Sequence, residues 1–185
     1  MSYLPSQTGP QTDQATYPSD RFVLRPLRTS DTGLISMYAA DPVLARGTRS
    51  IPHPLPPGVI EAMIDRAQRP DRIEDVWAMD GSCAGHAEVL GLVSLVRMDR
   101  AQSEVFFWVA SAFWNVGFAT EALRTLLTAN PHGARQYFAE SFQDNPGSAR
   151  VLTNCGFDYL GDAEAFSLAR NAVVPTWTYM MKTGR

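Results

Sequence analysis

Lysine is almost missing from this 185-residue sequence: Lys182 is the only one, and every other basic side chain is an arginine. An arginine-only chain suits phosphate, which the guanidinium grips with a planar fork; a bias in genomic base composition gives the same skew with no ligand behind it. Cysteine is scarce too. Cys83 and Cys155 alone exclude a disulfide-rich scaffold and fit a reducing compartment. No run approaches the ~18 consecutive apolar residues of a membrane span. Met1 to Asp20 holds no Lys or Arg and no apolar core, so no signal peptide is expected there. Positive charge is also short overall. A formal net charge of −3 argues against a nucleic-acid partner, which would meet a basic face. The expectation is a soluble, cytoplasmic protein that binds neither nucleic acid nor membrane.

What is present is globular: 45% hydrophobic and 19% charged residues, in a chain long enough for one domain with a sizeable core. Residues 1–20, rich in Ser, Thr, Gln and Pro, read as an irregular tail pinned by Tyr3 or Tyr17; residues 21–185 read as the domain. Arg21–Leu27 alternates as a strand. Ser30 or Asp31 is placed to cap a helix through Tyr38 and Ala39. Asp41–Pro57 is proline-rich and loop-like, and Val59–Gln68 has helical spacing. Strands follow at Asp75–Met79, Val89–Arg97 and Glu104–Val109, the last two close enough for a hairpin across Asp99–Ser103. Ala119, Ala122, Leu123, Leu126 and Leu127 make one stripe on a helix from about Gly117 to Thr128. Gln136–Phe142 is a strand. Asn145, Pro146 and Gly156 punctuate a short helix as cap, first residue and left-handed stop. Phe157–Leu160 and Pro175–Met181 are the last strands. The order implies an α/β domain with one mixed sheet, its late helix-linked strands parallel.

Two stretches carry chemistry. In Glu104–Ala122 a strand leads through a short loop into a helix at Val116-Gly117. A helix start offers unpaired N–H groups and a positive dipole end to a phosphate. Gly117 permits close backbone approach and Ala119 does not block it. Alone, one glycine before a helix is usually only a turn. The second stretch is Asp144–Phe157, with Asn145, Ser148, Leu152, Gly156 and Phe157 in a distinctive spacing.

Together, Phe113-Trp114-Asn115-Val116-Gly117-Phe118-Ala119-Thr120-Glu121-Ala122 and the Asn145–Phe157 segment resemble the GNAT (Gcn5-related) N-acetyltransferases, above all their RimJ/RimL-like branch. Arg21–Leu27 with Asp31, Asp41-Pro42, Trp77 and Glu104–Val109 continue the resemblance, in order, over residues 21–181. It implies the acyl-CoA N-acyltransferase fold: a central, mixed, mostly antiparallel twisted sheet flanked by helices. It implies acetyl-CoA as cosubstrate, with no metal, and acetyl transfer to a primary amine within a ternary complex. The acceptor would be a protein or peptide N-terminus or a small amine, the enzyme a monomer or homodimer. The pyrophosphate would lie on the backbone N–H groups of Val116, Gly117, Phe118, Ala119 and Thr120. The pantetheine arm would run along Trp108 and Val109 like an added strand. Asn145 would bond the arm, and Ser148, on the same helix face, would approach the sulfur. Two departures stand out: Asn115 replaces the loop's first glycine, and Val116 its usual basic residue. An arginine elsewhere would then supply the charge, Arg150 being one candidate. The stretch Thr128–Arg135 is also shorter than usual.

Glu104 is the expected general base, directly or through water; the competing reading is a solvated carboxylate at a strand edge. Ser148 is the expected proton donor to the thiolate, against a role in supporting the Asn145 cap. Tyr159 is the alternative acid, against ordinary strand packing. His53 lies in the proline-rich loop expected to border the acceptor site. Cys83 and His86 have a metal-like gap but no second pair, and neither cysteine has a histidine partner for covalent catalysis. A non-catalytic acyl-CoA-binding regulatory module and a protein-interaction domain are the competing functions.

Overall fold

The computed structural model describes residues 13–184; Tyr3 lies outside them. Strands form at Tyr17–Pro18 (β1), Val23–Pro26 (β2), Glu74–Asp80 (β3), Gly91–Met98 (β4), Gln102–Val109 (β5), Gln136–Phe142 (β6), Asp158–Ser167 (β7) and Ala172–Lys182 (β8). Helices form at Thr32–Ala39 (α1), Pro42–Arg46 (α2), Val59–Ala67 (α3), Phe118–Ala129 (α4) and Pro146–Asn154 (α5). All eight strands join one sheet in the order β1-β2-β3-β4-β5-β6-β8-β7, antiparallel everywhere except between β5 and β6. No described helix is long and apolar enough to cross a membrane.

Period-two patterning gives the sheet two apolar faces, and each buries a helical layer. One layer packs Leu123 and Leu126 of α4 and Leu152 of α5 against Val93, Val105, Tyr137 and Tyr179. The other packs Ile35 of α1 and Ile60 and Ile64 of α3 against Val76, Ala78 and Leu92. Of the apolar stripe expected on α4, Ala122, Leu123 and Leu126 are buried and Ala119 and Leu127 are half-buried against the same core, with Phe118 added. Gly91 lets β4 and β5 approach closely: a Cβ there would stand 2.2 Å from the Trp108 carbonyl oxygen.

Several boundaries differ from the expectations. Tyr17 lies in a two-residue strand paired with β2 and tilts its ring against Trp77. Asp31 does not cap α1. Its carboxylate is buried and accepts from Nη1 and Nη2 of Arg25, an ion pair that outweighs a cap. The proline-rich loop holds a short helix, α2, because Asp41 caps the Val43 N–H at 2.9 Å and Pro42 suits its first position. Of the late strands, β5 and β6 are parallel as expected across α4. After α5, however, β7 lands beside β8, which occupies the place next to β6.

The parallel pair shapes the site. β5 and β6 pair only from Gln102↔Gln136 to Val105↔Ala139. Beyond that, β5 stays on β4 up to Val109↔Gly91, and β6 stays on β8 up to Phe142↔Thr176. Two strands that keep their outer partners but lose each other must splay, and a cleft opens through the sheet.

Candidate active site

The cleft is lined by Gly47–Ser50 of the loop after α2, Val105–Trp108 of β5, Glu140–Phe142 of β6, Ser148 of α5 and Thr176 of β8. Strand alternation sorts these residues by face. Val105, Phe107 and Val109 join the α4–α5 layer, while Trp108 joins the α1–α3 layer. Glu104 and Phe106 share the parity of Trp108 and therefore face α1–α3. Glu140, between Ala139 and the next residue of β6, faces the same way.

There the two carboxylates meet one cation. Arg49 donates from Nη2 to Glu104 Oε1 at 2.9 Å and from Nη1 to Glu140 Oε2 at 2.6 Å. Its guanidinium carbon lies 4.7 Å from the centre of the Phe106 ring. Thr176 donates its hydroxyl to Glu140 Oε1 at 2.6 Å. Burial pushes the Glu104 carboxyl above the usual carboxylate range; Arg49 offsets this only in part, and the charge of Glu140 adds to it. Glu104 is thus not a solvated edge carboxylate: three-quarters of its side chain is covered.

Ser148 comes from the opposite layer. Asn145 Oδ1 accepts the Ser148 N–H at 3.3 Å, so the cap uses the backbone of Ser148 and leaves the hydroxyl to the cleft. Asn145 itself turns its Nδ2 toward Gly47 on the facing wall. Tyr159 is not brought to this cleft. It shares a row with Tyr179, Ala139 and Val105, two strands out and on the face away from Glu104. Its hydroxyl is exposed and donates to Asp162 Oδ1 at 2.8 Å. His53 is exposed on the loop before α3 and is absent from the cleft lining.

At the far end of β5, the edge of Trp108 and Val109 that faces β6 has no strand partner among the described residues. The chain then turns through Asn115, with φ +63°, and Gly117, with φ +88°, into α4. Asparagine tolerates the left-handed region better than other residues with a Cβ, so it keeps the shape that a glycine would give. No side chain caps the start of α4. The first-turn N–H groups at Phe118, Ala119 and Thr120 are therefore donors suited to an anion, and Val116 beside them is exposed. The fit to a phosphate group is good.

Positive charge at this turn comes from Arg21, which sequence reasoning passed over for Arg150. Arg21 donates from Nη1 to the Val116 carbonyl at 2.8 Å and from Nε to Glu121 Oε2 at 2.6 Å, 4.4 Å above the Phe118 ring centre. Its Nη2 lies 3.4 Å from where a Gly117 Cβ would be. Arg150 is an exposed residue of α5. Glu140 and Arg49 were missed as well. Glu140 left a trace, a lone charge inside an otherwise uncharged strand; Arg49, in a loop, left none. No group of three or more His, Cys, Asp or Glu side chains able to hold a metal occurs among the described residues. Burial pushes the Cys155 thiol up to about 11, too high for a nucleophile at neutral pH.

The same architecture occurs in solved acetyltransferases. The microcin C7 self-immunity acetyltransferase MccE, in complex with acetyl-CoA and AMP, superposes with TM-score 0.76 at 12% identity, over 88% of this chain and 93% of its own. RimL, a ribosomal L7/L12 alpha-N-protein acetyltransferase in complex with coenzyme A, gives 0.75 at 14% identity, over 91% and 98%. Spermidine N-acetyltransferase of Vibrio cholerae, with CoA and spermine, gives 0.67 at 16% identity, over 86% and 95%. No curated protein matches the chain in sequence. At these identities the likeness is one of fold. The family itself is shown by the acetyltransferase (GNAT) domain model, which matches residues 21–158, from two residues ahead of β2 to the first residue of β7. The chain belongs to the GNAT acetyltransferases, whose cosubstrate is acetyl-CoA.

Proposed function

We propose that the chain transfers the acetyl group of acetyl-CoA to a primary amine by direct attack in the cleft between β5 and β6. One observation carries the reading: where β5 and β6 part, Glu140 and Ser148 line the cleft, and Arg49 of its lining ties Glu140 to Glu104, whose proton affinity burial raises. The pyrophosphate rests on the turn Val116–Thr120, with Arg21 adding charge. The pantetheine arm follows the free edge at Trp108 and Val109, and Asn145 borders it.

Bound acetyl-CoA supplies the acyl group as an activated thioester. Glu104 takes the first proton from the acceptor ammonium, which is the dominant form at neutral pH for an amine of pKa about 8–10. The freed nitrogen lone pair attacks the carbonyl carbon, and the carbon–sulfur bond breaks. Ser148 passes a proton to the departing sulfur and is resupplied by the second proton of the acylated nitrogen. Glu104 releases its proton to solvent. Positioning by the two strand walls supplies much of the remaining acceleration.

Release of free CoA thiol from acetyl-CoA and an amine panel tests this. Glu104→Gln is expected to lower kcat/KM by about 10²-fold, and Ser148→Ala by about tenfold or more. Unchanged rates in both variants would overturn the assigned roles. Tight CoA binding with no turnover on any amine would leave the binding-only module.

A further inference from the structure

The cleft already contains a cation. Arg49 sits against Glu104, Glu140 and the face of Phe106, and Thr176 locks the second carboxylate in place. Two anionic groups and an aromatic face make a cradle for a positively charged group. The group that fills it is borne by the loop between α2 and α3, not by the sheet. Its side chain is one-third exposed and makes one hydrogen bond to each carboxylate, not a two-pronged fork. A partly wetted guanidinium with one bond to each partner is held less firmly than a fully buried, fully bonded one.

Resting on the acetyltransferase reading above, we propose that Arg49 holds the place of the acceptor. The amine enters as its ammonium, displaces the guanidinium from Glu104 and Glu140, and gives its proton to Glu104. Arg49 is then a specificity-determining residue, because an acceptor must match the cation it replaces. Primary amines with no acid next to the nitrogen fit: small amines, and peptide N-termini whose first residues are not acidic. A free amino acid does not fit, since its carboxylate would face Glu140 once Arg49 has left. The opposite arrangement, with Arg49 staying seated and binding the acceptor, reverses the preference, because a guanidinium would attract that carboxylate.

Alaninamide and alanine separate the two arrangements, since they share an α-amine and differ in the acid. Their binding to the CoA-loaded protein is measured by calorimetry, and their acetylation by thiol release. The wild type is expected to prefer alaninamide. Arg49→Met, which removes the competing cation and keeps the cover over Phe106, is expected to bind alaninamide about fivefold more tightly. Glu140→Gln is expected to weaken alaninamide by a similar factor and to leave CoA binding unchanged. Thermal melts of Arg49→Met and of Arg49→Gln check that the fold survives, and agreement between the two variants separates the charge from the packing. A wild-type preference for alanine, or weaker amine binding in both Arg49 variants, overturns the displacement. No thiol release with any amine in the wild type would instead overturn the acetyltransferase reading itself.

Discussion

Two clusters in this molecule have the same composition, one arginine between two carboxylates, and they do opposite work. In the first, Arg25 stands between Asp31 and Asp80, with side chains 5%, 1% and 12% exposed. Every guanidinium nitrogen is used: Nε on Asp80, Nη1 on Asp31 and the Pro26 carbonyl, Nη2 on Asp31 and the Glu88 carbonyl. In the second, Arg49 stands between Glu104 and Glu140, with 34%, 26% and 13% exposed. Arg25 and Asp80 are borne by adjacent sheet strands, while Arg49 is borne by a loop. Charge content does not separate a structural clasp from a site; the number of bonds satisfied and the element that bears the cation do.

The largest expected effect tests that contrast on stability. Arg25→Met strands two carboxylates in the interior and should cost about 3–5 kcal/mol. Arg49→Met leaves its carboxylates within reach of water and should change stability by no more than about 1 kcal/mol. Urea unfolding of both variants measures the difference, and equal losses would erase it.

The two clusters should also respond to pH with opposite sign. Burial raises the Asp80 carboxyl, but Arg25 and Ser82 more than offset it, and the group ends below its ordinary value. A carboxyl depressed in the folded state contributes stability that is present above its unfolded pKa and lost as pH falls through the folded one. For Glu104, burial wins and the folded value is raised. That group favours folding below its unfolded pKa and loses the contribution as pH rises through the folded value. On activity the sign is simpler, since only the deprotonated form accepts a proton. The acid limb of kcat/KM should stand above the usual carboxylate range and vanish in Glu104→Gln. In Arg49→Met it should move further up, because the one group that lowers Glu104 is gone. An acid limb unmoved by both substitutions would detach Glu104 from the chemistry.

The sequence made the fold legible where periodicity was strong, and the site legible where a turn had grammar. Gln136–Phe142 is a strand with the expected bounds, and Asn145, Pro146 and Gly156 delimit α5 as expected. The pattern predicts a strand that stops at Leu160, but β7 runs to Ser167. As an edge strand it is exposed along most of its length, and Gly161, Asp162 and Glu164 give it no apolar alternation to betray it. The cleft cluster was half legible. Glu104 and Ser148 lie in stretches with family spacing. Arg49 reaches Glu140 across 91 positions of sequence, and no local pattern encodes a contact set by where two strands part. Arg21 is hidden differently: local alternation predicts only the first residue of a strand, while its side chain bridges to a helix start 95 positions later.

The smallest effect probes why only one half of the Arg49 cluster is fixed. Thr176 is fully buried, and its hydroxyl donates to Glu140 at 2.6 Å. Glu104 has no such anchor beyond Arg49 among the hydrogen bonds of the described side chains. Glu140 can then hold an incoming cation in register while Glu104 remains free to accept a proton. Thr176→Val keeps the side-chain shape and removes the donor, so it should cost about 1 kcal/mol in stability. It should raise the acceptor KM a few-fold while kcat changes less, because the loss falls on binding more than on the proton transfer at Glu104. If kcat falls and KM holds, Thr176 acts on the chemistry, and the division of labour between the two carboxylates is the reverse of the one drawn here.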